Sequence, residues 1–148
     1  MKKILFLMLI TLFAKFAVAS PNVTIHNTTS CTIYIMLSYS NNLNNPCLIS
    51  GYSSLIPVTA GGSLYYDCAA AIAPGVSMPG GYGFYNGVRI FDGPSTCAPH
   101  FTNIGNPCLF MNQQVNYQTK DNNCQSCGTF TAVWTISMPA MDVATLTF

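Results

Sequence analysis

Two cysteines separated by two residues are the strongest hint of chemistry in this sequence. Cys124 and Cys127 lie in DNNCQSCGTF, where a turn-rich run precedes residues that alternate like a strand. A redox dithiol needs its first cysteine at the start of a helix, where the helix dipole lowers the thiol pKa. A zinc site needs a second ligand pair at short spacing, and the sequence has no other CxxC and no HxxxH. The pattern therefore favours structural disulfides, with thiol–disulfide chemistry at Cys124 and Cys127 kept as an alternative.

Seven cysteines are candidates for disulfide bonds. They are Cys31, Cys47, Cys68, Cys97, Cys108, Cys124 and Cys127. Cysteines of exported proteins usually oxidise to disulfides, whereas cytosolic ones stay reduced. Because seven is an odd number, at most three intramolecular bonds can form, and one thiol is left over or links two chains. The sequence does not specify the pairing.

The first 19 residues have the three parts of a secretory signal peptide. Lys2 and Lys3 precede an apolar run at residues 4–14, and Ala-Val-Ala at 17–19 precedes a cleavage point. That run is too short to span a bilayer, which takes about 20 residues. We therefore predict a signal peptide at residues 1–19 and a single secreted β domain at residues 20–148. The localisation would be periplasmic or extracellular, with no membrane span after signal removal.

The predicted mature chain carries few charges. Its two cations, Arg89 and Lys120, stand against four aspartates and no glutamate, which gives 2 − 4 = −2. Nucleic-acid binding requires clustered Lys and Arg, so that function class is excluded. His26 and His100 are the only histidines, and neither lies beside a nucleophile motif. The sequence therefore indicates no catalytic residues, no metal site and no cofactor.

Alternation of apolar and polar residues dominates the chain and predicts strands. It is clearest in residues 31–37, in residues 129–138 with Trp134 pointing inward, and in residues 143–148. Further strands are predicted at residues 23–27, 53–58, 63–67 and 114–118, and one helical turn at residues 68–73. Together they predict an all-β fold. It would be a single antiparallel β-sandwich, Ig-like or jelly-roll-like, or a small barrel, stapled by disulfides.

The run YGFYNGVRIF at residues 82–91 contains the strongest local signal. Asn-Gly between two β-prone segments favours a two-residue type I′ turn. We therefore predict a hairpin that turns at Asn86 and Gly87, with Phe84 opposite Arg89. One face of this hairpin would carry Tyr85, Val88 and Ile90, and the other would carry Tyr82, Phe84, Arg89 and Phe91.

These features give three functional hypotheses. The first is a non-catalytic binding module for carbohydrate or another neutral surface ligand, with Tyr82, Phe84, Arg89 and Phe91 as the binding platform. The same face could instead be core, with Arg89 at its rim over an aromatic ring. The second hypothesis is a structural subunit, which associates with itself or with a surface protein through an open edge at Val143–Phe148 or through the odd cysteine. The third is a secreted enzyme or thiol–disulfide protein.

Overall fold

Two β-sheets form the part of the chain that the computed structural model describes, residues 22–42, 45, 47–67, 83–136 and 143–148. Ten strands and two short 3₁₀ helices, at Ser95–Cys97 and Pro107–Leu109, confirm the predicted all-β fold within those residues. The two sheets are arranged as a sandwich. The predicted signal peptide and the predicted helical turn at residues 68–73 lie outside the described residues.

Sheet A has five antiparallel strands. Four of them follow the order β3 (Gly51–Tyr52), β2 (Ile33–Ser40), β6 (Phe84–Phe91) and β7 (Phe101–Gly105), and β4 (Ile56–Val58) also pairs with β2. Strand β2 alternates as its sequence predicts, with Ile33, Ile35 and Leu37 fully buried. Strand β7 was not predicted. Of the strand predicted at residues 53–58, only the last three residues form a strand, which is β4.

Sheet B has the order β5 (Ser63–Tyr66), β1 (Asn22–His26), β10 (Val143–Thr147), β9 (Ser126–Ile136) and β8 (Gln114–Lys120). Its strands pair antiparallel, except that β1 and β10 are parallel. The predicted open edge at Val143–Phe148 is therefore wrong, because β10 lies between β1 and β9. The reason is burial: this register sets Ile25 beside Leu146, and both side chains are fully buried. Each such side chain stabilises the fold by about 1.5–3 kcal/mol.

The predicted hairpin at Asn86 and Gly87 is also wrong. Residues 84–91 form one continuous strand between β2 and β7. Glycine is needed here because two backbones approach closely: a Cβ on Gly87 would lie 2.8 Å from the carbonyl oxygen of Ile104. The Asn86 side chain is buried and accepts a hydrogen bond of 2.9 Å from the Ser38 hydroxyl. Close packing, rather than a positive φ, explains the Asn-Gly pair.

A β-bulge in β6 nevertheless leaves Tyr85, Val88 and Ile90 on the same face, as the hairpin had predicted. The pairing of β2 with β6 shifts at Ser38, so that Tyr85 lies opposite Tyr39 and Gly87 opposite Ser38. The extra residue turns Tyr85 to the same side as Val88 and Ile90. All three are buried in the core, as the hairpin had implied, although the pairing of Phe84 with Arg89 does not exist.

Three disulfides staple the fold, joining Cys31 to Cys127, Cys47 to Cys108, and Cys97 to Cys124. Cys124 and Cys127 are therefore bonded to different partners, and the CxxC pair is not a redox dithiol. The other candidate, Cys68, lies outside the described residues. Intramolecular disulfides are typical of extracellular and periplasmic proteins. Among the described residues, no helix is long and apolar enough to cross a bilayer.

Candidate functional site

The outer face of sheet A carries a group of aromatic rings around one cation. The pairing sets Tyr34 opposite Phe91 and Phe91 opposite Phe101 on three neighbouring strands. In the next row Arg89 lies between Met36 and Asn103. Tyr52, from β3, reaches the same cation. We call Tyr34, Tyr52, Arg89, Phe91 and Phe101 the aromatic face.

Arg89 is held between two rings. Its Cζ atom lies 4.0 Å from the centroid of Tyr52 and 4.3 Å from the centroid of Phe101. Its Nε atom donates a hydrogen bond of 3.4 Å to Oδ1 of Asn103. Among the described residues no carboxylate pairs with it, since the ion pair that they contain joins Lys120 to Asp92. Cation–π contacts of this kind are worth about 0.5–2 kcal/mol each, so the two rings hold the guanidinium in position.

The remaining rings are also fixed. Phe91 and Phe101 have centroids 5.8 Å apart and planes inclined at 54°. The hydroxyl of Tyr34 donates a hydrogen bond of 2.7 Å to Oδ1 of Asn122. Phe101 is nevertheless 51% exposed, so this face is open to solvent rather than part of the core. Rigid, exposed aromatic rings lose little conformational entropy when a ligand binds.

The sequence-predicted platform is only partly present on this face. Arg89 and Phe91 lie there, with Arg89 over aromatic rings as expected. Phe84 lies at the other end of β6, opposite Ser40, and Tyr82 is outside the described residues. Sequence reasoning missed Tyr34, Tyr52 and Phe101, because only strand pairing brings Tyr34 to Phe91 and the other two rings to Arg89. The alternation in residues 31–37 did place Tyr34 on the outer side of its strand.

The outer face of sheet B is chemically different. It is rich in uncharged polar side chains, and it carries the exposed Tyr65 on the edge strand β5. Nδ1 of His26 is 2.8 Å from the hydroxyl oxygen of Ser63, its cross-strand neighbour. In the described part of the chain no carboxylate contacts this histidine, so the pair lacks the third group of a hydrolase triad. The residues that the structure describes contain no group of three or more potential metal ligands.

Two tyrosines have altered acidity. Burial raises the pKa of the phenol of Tyr117, on β8, and also that of Tyr66, on β5. The ring of Tyr117 packs against Phe130 and Phe148, with centroids 6.3 and 5.9 Å away. Its hydroxyl is buried and has no hydrogen-bond partner among the described residues. Both phenols therefore stay protonated at neutral pH, where they add no charge.

Comparisons with protein-family models, with curated proteins and with solved structures found no match to this chain.

Proposed function

We propose that the chain is an exported, non-catalytic binding module that holds a neutral saccharide on the aromatic face. The observation that carries this proposal is the position of Arg89, which is held between two partly open rings and forms no ion pair with any described residue. Export is supported by the signal-like pattern of residues 1–19 and by the three disulfides.

The chemistry of the aromatic face suits a sugar. The C–H groups on one side of a pyranose ring form an apolar surface that packs on aromatic rings. The hydroxyl groups around its edge accept hydrogen bonds from a guanidinium, which has five N–H donors. The bond to Asn103 uses the Nε donor, and no described residue accepts a hydrogen bond from the terminal amino groups, which could serve a ligand.

Charge favours a neutral ligand over an anionic polymer. The chain from residue 20 onward has two cations and four aspartates, a net charge of 2 − 4 = −2. A polyanion would be repelled at long range, and a single arginine cannot compensate for several negative groups. A neutral glycan is not subject to this electrostatic repulsion.

The test is retention of the mature protein on immobilised neutral polysaccharides, measured by affinity electrophoresis. We expect the wild type to be retarded by at least one of cellulose, xylan, mannan, β-glucan or chitin derivatives. Tyr52→Ala should weaken that binding about tenfold, because it removes one stacking ring and frees Arg89. Tyr65→Ala is the matched control, since Tyr65 is 60% exposed on the opposite sheet. A wild type that no polymer retards, or a Tyr52→Ala variant that binds as tightly as the wild type, would contradict the proposal.

A second proposal is covalent self-association. The three disulfides use six of the seven cysteines, so Cys68 has no cysteine partner left within its own chain. A bond between the Cys68 residues of two chains would give a dimer. The mature protein should then migrate as a dimer on a non-reducing gel, and Cys68→Ser should migrate as a monomer. A wild-type monomer with one titratable thiol would refute this.

A further inference from the structure

A cleft opens between the two sheets beside the aromatic face, along strands β7 and β8. These are edge strands of different sheets, and no ladder joins them. Two backbone hydrogen bonds cross between neighbouring segments: the amide of Lys120 donates to the carbonyl of Asp92 at 2.7 Å, and the amide of Gly105 donates to the carbonyl of Asn112 at 3.0 Å. An open pocket of about 250 Å³ lies in the cleft.

The lining of the cleft combines apolar walls with convergent polar groups. Ile90 and Tyr117 are almost fully buried, and Phe101 adds the third apolar wall. The polar residues of the lining are Asp92, His100, Thr102 and Gln118. Thr102 is paired with the buried Ile90 and shares its side of sheet A, whereas Gln118 is exposed and alternates with the buried Tyr117. An apolar pocket with a few hydrogen-bonding groups is the usual form of a small-molecule site.

The carboxylate of Asp92 is fixed in place. Its Oδ2 atom accepts a hydrogen bond of 3.0 Å from Nζ of Lys120, and its Oδ1 atom accepts one of 2.8 Å from the amide of His100. Lys120 balances the negative charge, so a ligand that enters the cleft meets no uncompensated carboxylate. The site therefore suits a neutral molecule whose hydroxyl groups can donate to oxygen acceptors.

The size of the pocket suits a single ring. A cavity of about 150 Å³ accommodates benzene, so about 250 Å³ has room for one six-membered ring with substituents. Phe101 lines the cleft and also contacts Arg89 and Phe91 on the aromatic face. A chain of linked rings can therefore continue from the aromatic face into the cleft.

We infer that the cleft is a subsite for the terminal pyranose ring of the neutral saccharide that lies on the aromatic face. This inference rests on the proposed function and adds to it. The ligand would be recognised at a chain end, with Thr102 bonding a hydroxyl group of the terminal ring and Ile90 and Tyr117 contacting its apolar side.

The test is an NMR titration of the ¹⁵N-labelled mature protein with methyl glycosides of glucose, galactose, mannose, xylose and N-acetylglucosamine. We expect one of them to shift the amide signals of Ile90, Thr102 and Tyr117. Thr102→Val should raise the dissociation constant of that glycoside about tenfold, because one hydrogen bond to the ring is lost. The control is Thr129→Val, which removes the hydroxyl of an exposed threonine outside the cleft.

A second arm separates this inference from the proposed function. Tyr52→Ala should weaken binding of a neutral hexasaccharide but leave the methyl glycoside unaffected. If a hexasaccharide binds the aromatic face while every methyl glycoside leaves the cleft signals unchanged, the cleft inference is refuted and the proposed function stands. If no saccharide shifts any signal, both are refuted. An equal dissociation constant for wild type and Thr102→Val would also overturn the inference.

Discussion

Removing the disulfide between Cys31 and Cys127 should cost more stability than removing either of the others. This bond joins the segment just before β2, in sheet A, to β9, in sheet B, so it connects the two layers of the sandwich. Its sequence separation is 96 residues, against 27 for the bond between Cys97 and Cys124. A crosslink stabilises mainly by restricting the unfolded chain, and the effect grows with the length of the closed loop.

The magnitudes follow from those loop lengths. In the chain-entropy model, a loop of 96 residues corresponds to about 4.7 kcal/mol and a loop of 27 residues to about 3.5 kcal/mol. The variant Cys31→Ala/Cys127→Ala should therefore lose about 1 kcal/mol more of its unfolding free energy than Cys97→Ala/Cys124→Ala. Cys31 is also buried, so its truncation adds a packing loss in the same direction.

Equilibrium denaturation measures this difference. The chain has a single tryptophan, Trp134, which is 1% exposed in the core, so its fluorescence reports global unfolding. All variants should carry Cys68→Ala, which prevents thiol exchange and serves as the reference. Equal free energies for the two double variants, or a larger loss for Cys97→Ala/Cys124→Ala, would refute the reasoning from loop length.

Three further predictions concern buried polar groups. Thr119→Val should raise the unfolding free energy by about 1 kcal/mol, because it removes a fully buried hydroxyl without a hydrogen-bond partner among the described residues. In the same denaturation assay the control Thr129→Val, at an exposed position, should change the unfolding free energy by less than about 0.5 kcal/mol. Asn27→Ala should lower the unfolding free energy by about 3 kcal/mol or more. The buried side-chain amide of Asn27 forms hydrogen bonds with the backbone of Thr29, Cys31 and Val58, and all of them would be lost. A loss below about 1 kcal/mol would contradict that role. Burial raises the pKa of Tyr117 above the value of about 10 that the phenol has in the unfolded chain. As the pH rises above about 10, the phenol therefore loses its proton first in the unfolded state, and the free energy of unfolding should fall. In denaturation experiments between pH 8 and 11, the free energy of unfolding should fall less steeply with pH for Tyr117→Phe than for the wild type. Equal slopes for the two proteins would refute this prediction.

Local alternation was sufficient to predict much of the strand content. Strands β1, β2, β5, β8, β9 and β10 all fall within or close to predicted segments, and Trp134 points inward as expected. These strands each have one face in the core, so their period of two appears directly in the sequence. Strand β7 lacks that signal, because it is short and ends in a glycine that serves close packing rather than a turn.

Pairing between distant strands could not be read from the sequence. Asn-Gly at 86–87 matches a turn signature, but its glycine meets Gly105 of a strand that sequence reasoning did not identify. The parallel pairing of β1 with β10 likewise depends on the whole core. For the same reason the sequence supplied Arg89 and Phe91 but not Tyr52 and Phe101, which reach Arg89 only across the sheet.

Mapping of a bound saccharide onto the two outer faces tests the central claim most directly. The ¹⁵N-labelled mature protein would be titrated with soluble hexasaccharides of the neutral polymers named above. We predict that the largest shifts fall on the amides of Tyr34, Arg89 and Phe101, on the outer face of sheet A. Shifts confined to the outer face of sheet B, or a complete absence of shifts with every hexasaccharide, would contradict the account.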